Sequence, residues 1–149
     1  MGSVSIEEIK KAIQAKISRM MELQNLAETY QQLLQLNTAA LTEIIQTKEA
    51  LKEMQKREEK ELSGYISLGA GIYVEGVIKK TEKLLVDIGA NLAVPMTIEG
   101  ALEVLDRKER DVRNALERIQ KLLVDVRNNI DKLNREIELL RRHLEKMRK

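Results

Sequence analysis

A chain of 149 residues could close one compact domain, but 34% of it is charged, Phe and Trp are absent, and its aromatics are Tyr30, Tyr65 and Tyr73, so no large aromatic core can form. The formal charge of +2 comes from interspersed signs, which argues against a polyanion as the main partner, and no apolar run approaches the ~20 residues that span a bilayer. With no cysteine and no apolar core of a signal peptide at the N-terminus, disulfides and thiolate zinc sites are excluded and a cytoplasmic protein is expected.

The first element begins at Ser5, which with Glu8 three residues later spells a capping box, while Val4 can staple onto Ile9 across it. From Ile6, alternating steps of three and four residues visit Ile9, Ile13, Met20, Leu23, Ala27, Tyr30, Leu34, Leu41, Ile44 and Leu51. Lys16, Asn37, Lys48 and Gln55 are the polar exceptions. A seam this long indicates a coiled-coil helix rather than a globular one. Lys16 is expected to snorkel out of the seam, and Asn37 to fix its register. The charge-dense run from Lys52 to Glu61 reads as a solvated helix end or hinge.

The period then changes. Leu68–Ile78 and Lys83–Val94 are rich in β-formers, and five of the seven glycines lie between Gly64 and Gly89. Turn candidates at Gly69–Gly71, Lys80–Glu82 and Gly89–Asn91 divide the segment into four short strands, or two hairpins. Asn91 tolerates the left-handed conformation nearly as well as glycine, and Pro95 should end the last strand or lie on an edge. Gly69-Ala70-Gly71 begins like a dinucleotide fingerprint. The sixth position is Val74, however, and the loop leads into a strand, so no helix N-terminus is there to hold phosphate. Four short strands leave unpaired edges, which aggregate or pair with another chain, and oligomerisation is the leading expectation.

The second helix follows Pro95, with Thr97 as its N-cap and Glu99 favourable in the first turn. Heptad stepping from Ile98 visits Leu102, Leu105, Val112, Leu116, Ile119, Leu123, Val126, Ile130, Leu133, Ile137, Leu140, Leu144 and Met147, and only Glu109 interrupts it. Two equal arms of ~75 Å can fold back antiparallel, with pairs whose numbers sum to about 153 lying level. Lys48 and Glu109 are then expected to pair across the interface. The expected plan is α+β, one elongated domain over 1–149: a coiled-coil helix over 5–60, a β-hairpin assembly segment over 64–96, and a second coiled-coil helix over 97–148.

Nothing assembles a catalytic centre. The one histidine, His143, lies between Leu140 and Leu144 beside Arg141 and Arg142 on a solvated flank, and the acidic residues alternate with Lys and Arg around the helices. The basic end, Arg141 to Lys149, reads as a solvated helix terminus favourable to the helix dipole. No enzyme, metal site or cofactor is expected.

The order of helix, LGAGIYVEG, LLVDIGANLAV, and a helix opening TIEGALEVL resembles the archaeal prefoldin alpha subunit over the whole chain. The resemblance is most specific at Leu68, Gly69, Gly71, Tyr73, Val74 and Gly76 in the first hairpin, and at Leu85, Val86, Asp87, Ile88, Gly89 and Val94 in the second. Ser67, Asn91 and Pro95-Met96 depart from the family pattern, which touches local turn and edge geometry. The resemblance implies that two alpha subunits join through their hairpins, and that four prefoldin beta subunits dock on them in a double β-barrel base. Tyr65 and Ile66 are added to the residues expected to carry that assembly. It further implies that six coiled coils hold non-native polypeptides at their tips and pass them to a group II chaperonin without hydrolysing ATP. In this chain the tip residues would be Val4, Ile6, Ile9, Ile13, Leu140, Leu144 and Met147, exposed as the coil ends fray. A filament-forming structural protein, joined head to tail through open sheet edges, is the alternative.

Overall fold

The computed structural model describes residues 4–80 and 83–149. In chain order they form α1 (Ile6–Lys56), β1 (Glu61–Gly69), β2 (Ile72–Lys79), β3 (Leu84–Gly89), β4 (Leu92–Met96) and α2 (Ile98–Arg148). The two helices are equally long, 51 residues each. The strands pair as two separate antiparallel hairpins, β1 with β2 and β3 with β4, so the class is α+β as the change of period predicts. The chain divides into two compact units, Met1–Ala39 with Arg113–Lys149, and Ala40–Val112.

The first unit holds the terminal parts of both helices. α1 starts where its capping box predicts: the Ser5 N–H donates to Glu8 Oε2 at 3.0 Å and the Glu8 N–H donates to Ser5 Oγ at 3.2 Å. Two donors that the first helical turn would leave unpaired are thereby satisfied. Ile9 and Leu23 of α1 and Leu123, Val126 and Ile137 of α2 are buried, all at expected seam positions. The remaining seam residues of the unit are half-buried, with Met147 exposed. Lys16 Nζ meets Glu136 Oε2 at 2.7 Å and Arg127 donates to Gln31 at 2.9 Å, both across the two helices. The first pair fits the antiparallel register to within one residue, and the second lies about one turn away, within reach of an arginine. Lys16 leaves the seam as expected, and its ammonium is held by a carboxylate on the facing helix. The Asn37 amide donates to the Leu33 carbonyl one turn back at 2.8 Å.

In the second unit the seam positions Leu41, Ile44 and Leu51 of α1 and Leu102, Leu105 and Val112 of α2 are half-buried. Lys48 is the polar layer. Its ammonium reaches Glu109 at 2.9 Å, as expected, and also Asp106 at 2.5 Å. The charge-dense run divides: α1 ends at Lys56 and β1 begins at Glu61. Glu61, Leu62 and Ser63 join the ladder opposite Lys79, Ile78 and Val77, three residues before the expected strand start. The Lys80 ammonium donates to the Arg57 carbonyl and the Lys80 N–H to the Lys60 carbonyl, tying the end of β2 to the start of β1. Of the Lys80–Glu82 turn candidate, Thr81 and Glu82 lie outside the described residues.

Both hairpins turn in the same way. Ala70 and Gly71 have φ of 51° and 78°, and Ala90 and Asn91 have 52° and 60°; these are two-residue turns of type I′, whose twist matches the flanking strands. In each case a side chain two residues before a glycine braces the turn: the Gly69 N–H donates to Ser67 Oγ at 3.3 Å and the Gly89 N–H to Asp87 Oδ1 at 2.8 Å. α2 then starts on its expected cap, with the Gly100 N–H donating to Thr97 Oγ1 at 3.1 Å.

Candidate assembly and capture surfaces

Strand alternation sorts the first hairpin into two unlike faces. Leu62 with Ile78, Gly64 with Gly76, and Ile66 with Val74 are cross-strand partners on one face, which carries no polar side chain. Glu61 with Lys79, Ser63 with Val77, Tyr65 with Glu75, and Ser67 with Tyr73 make the other. Gly76 has a packing reason. A Cβ there would stand 2.7 Å from Ile66 Cδ1, so the isoleucine lies over the glycine. The apolar face is open, since Ile66, Ile72, Val74 and Ile78 are all exposed.

The second hairpin is covered on one side. Leu84, Val86, Val94 and Met96 share a half-buried face. Lys108 of α2 donates to the Asp87 carbonyl at 3.3 Å, which ties β3 to the helix. Leu85, Ile88 and Leu92 remain exposed. Each hairpin has only two strands, so every strand offers one unpaired edge, and Pro95 lies on such an edge strand.

Among the residues expected for assembly, the structure places Tyr65, Ile66, Leu68, Tyr73, Val74, Leu85 and Ile88 in solvent, and Gly76, Val86 and Val94 half-buried. Gly69, Gly71 and Gly89 shape the turns. Leu62, Ile72, Val77, Ile78 and Leu92 belong to the same surfaces and were missed. Period-two alternation running back from Ile66 to Leu62 and forward from Ile72 to Ile78 was the signal that could have found the apolar face.

At the helix ends, Val4 and Met147 are exposed, Ile6, Ile13, Leu140 and Leu144 are half-buried, and Ile9 is 2% exposed. As folded, the end of the coil presents the first and last of these side chains and the edges of four more, while Ile9 belongs to the seam.

Electrostatics mark the ion pairs that Lys48 and Lys16 make across the helices. Hydrogen bonds from Lys48 to Asp106 and then to Glu109 raise the lysine above its usual pKa of 10.5. The hydrogen bond from Lys16 holds Glu136 below its usual 4.5. Both sets of charges join the two helices to each other, so they read as structural. Among the described residues no cluster of His, Asp and Glu could hold a metal ion, and no helix is long and apolar enough to cross a membrane.

Comparison with known proteins agrees with this geometry. A family profile described as Prefoldin, prefoldin subunit, matches residues 22–143. Prefoldin subunit alpha of Methanobrevibacter smithii is 27% identical over 85 residues, 57% of this chain and 57% of its own length. The chain thus spans little more than half of that relative. Prefoldin subunit alpha of Thermofilum pendens is 33% identical over 60% of this chain and 69% of its own. Probable prefoldin subunit 5 of Dictyostelium discoideum is 32% identical over 72% of this chain and 62% of its own. Among solved structures, filamentous PFD from Methanocaldococcus jannaschii, determined by cryo-EM, matches with a TM-score of 0.54 over 85% of this chain and 98% of that one. At 18% identity that likeness speaks for the fold.

Proposed function

The chain belongs to the prefoldin family, and from that premise we propose that it is an alpha-type subunit of an ATP-independent chaperone that holds non-native polypeptides. The observation that carries the reading is the open, wholly apolar face of the first hairpin beside four free strand edges. A surface of that kind is stable in water only when another chain covers it.

Two copies join through their hairpins in this reading, and four prefoldin beta subunits complete a closed β-barrel base. The ends of the coiled coils then capture clients. Fraying of the last turns at Val4, Ile6 and Ile13 against Leu140, Leu144 and Met147 widens the apolar strip, and Lys10, Lys11, Arg141 and Arg142 border it. Each contact is weak and therefore releasable, while several coil ends acting together supply avidity. Release to a group II chaperonin in the cytoplasm needs no catalytic group and no cofactor on this chain.

The test combines native mass with client protection. Mixed with a prefoldin beta subunit, the chain should give one closed assembly that suppresses aggregation of a chemically unfolded protein. Deleting residues 1–13 and 140–149 should leave the assembly and abolish protection. An intact assembly that still protects after the deletion rules out capture at the coil ends.

Filament formation is the second reading, favoured by the free edge on each hairpin and by the filamentous state in which the M. jannaschii protein was imaged. Light scattering separates the two: a mass that grows with concentration indicates head-to-tail contacts, and a fixed mass indicates a closed assembly.

A further inference from the structure

The outer surface of α1 differs from that of α2 in a way the seam does not require. From Met20 to Ala39, α1 carries only Glu22 and Glu28 as charges, whereas the level stretch of α2, residues 114–133, carries seven. α1 is also apolar off its seam: Met21, Leu26, Leu33 and Leu36 are all exposed, Leu36 at 68%. Leu26, Thr29, Leu33 and Leu36 follow one another at steps of three and four, so they form a single strip. The Arg127 bond to Gln31 occupies one flank of the coil. On the opposite flank Leu33 and Leu122 stand nearly level, and both are exposed. A soluble helix normally turns charged residues outward, and α2 does so apart from single residues at Leu122, Val124 and Leu139; an apolar strip left open along one helix marks a surface with an occupant.

We propose that this strip of α1, centred on Leu33 and Leu36, is a second capture surface for non-native polypeptide, lying along the coil rather than at its end. The inference rests on the chaperone reading above. The charge pattern selects this occupant over a folded one. A specific helical partner is chosen and kept in register by charges flanking the apolar strip, and this one has almost none. A second copy would bring its own Glu22 and Glu28 to a stretch of α1 with no lysine or arginine between Arg19 and Lys48 to meet them. A neutral strip of Met and Leu interleaved with exposed Gln24, Gln32 and Gln35 suits a chain of unspecified sequence. The thioether and leucines accept apolar side chains in many arrangements, and the amides donate to and accept from an extended backbone.

The test uses the full chain, assembled with a prefoldin beta subunit, and guanidinium-unfolded citrate synthase as the client. Leu33→Glu with Leu36→Glu should leave native mass and helix content unchanged, while the concentration needed for half-suppression of aggregation rises about threefold, one of two cooperating surfaces being lost. Leu33→Gln with Leu36→Gln should act in the same direction more weakly, and Leu139→Glu, an exposed leucine of α2, should change nothing. A photoreactive side chain at position 36 should crosslink to the client. Unaltered protection in both double variants with no crosslink overturns the proposal, as does a loss of native mass, which would show that the strip holds another subunit. If both double variants lose helix content, the crosslink at position 36 decides. A wild-type assembly that gives no protection overturns the chaperone reading itself, and this inference with it.

Discussion

Leu123 and Leu85 are both leucines where the pattern of the sequence calls for an apolar side chain, yet the helix residue is 4% exposed and the strand residue 76%. The same contrast runs through the molecule. Heptad positions on α1 and α2 find partners within the chain, so the seam is satisfied by one copy. Alternating positions on β1 and β2 at Ile66, Val74 and Ile78, and the outer face of β3 and β4 at Leu85, Ile88 and Leu92, stay exposed, because a two-stranded ladder cannot cover its own faces. An apolar pattern therefore records that a surface must be buried, and the number of elements available decides whether this chain or another buries it.

The largest expected effect tests that division directly. Leu123→Ala should leave a cavity in the seam and cost about 3 kcal/mol, lowering the melting temperature of the chain alone by ~10 °C. Leu85→Ala should change the melting temperature of the chain alone by less than about 0.5 kcal/mol equivalent, because nothing is uncovered that was covered. In the assembly the order should invert, with Leu85→Ala weakening association measured by native mass and Leu123→Ala leaving the stoichiometry intact. Equal effects of the two in the isolated chain would mean that the hairpins are already covered by some contact within one copy.

Next come the ion pairs, which give the seam its few polar layers. Lys48→Met should lower the melting temperature by leaving Asp106 and Glu109 beside each other without their shared cation, and adding Glu109→Leu should recover much of the loss. The pH dependence follows from the two shifts. Lys48 has a raised pKa, so its contribution is complete below 10.5 and is lost as pH climbs through the folded value. Glu136 has a lowered pKa, so its contribution is complete above 4.5 and is lost as pH falls through the folded value. Thermal melts should therefore show a plateau between these limits, and Lys16→Met should reduce the acid-side loss specifically.

How far the sequence foretold this depends on the range over which each force acts. Helix starts were legible to the residue, because the Ser5–Glu8 box and the Thr97 cap are local hydrogen bonds between near neighbours. The seam was legible because a repeat held for some fifty residues admits one pairing, and that pairing put Lys48 against Glu109. Fates of single polar side chains were less legible. That the Lys16 ammonium meets Glu136, and that the Asn37 amide turns back to Leu33, depends on rotamer choices that spacing leaves open. Strand bounds were off by three residues at Glu61 because a charged residue on an exposed face carries no burial signal. The apolar strip at Leu33 and Leu36 lies outside the heptad positions, so the repeat that reveals the seam carries no signal for it.

The smallest expected effect concerns the turns, and it bears on whether the hairpins are ordered by themselves. Ala70 and Ala90 hold φ near +50°, a conformation that costs a residue with a Cβ about 1–2 kcal/mol. Glycine avoids that cost but adds about 0.5–1 kcal/mol of backbone entropy to the unfolded chain, so Ala70→Gly should stabilise the first hairpin by a net ~0.5 kcal/mol. Asn91→Gly should give close to nothing, because asparagine already accepts φ of 60° through local hydrogen bonding. Amide exchange in the chain alone reads the result, at Ile66 and Val74 for the first hairpin and at Val86 and Val94 for the second. Slower exchange in Ala70→Gly but not in Asn91→Gly is the expected outcome. Faster exchange in Ala70→Gly would mean that the left-handed alanine is held by contacts outside the turn, and that the isolated hairpin owes its order to more than its own ladder.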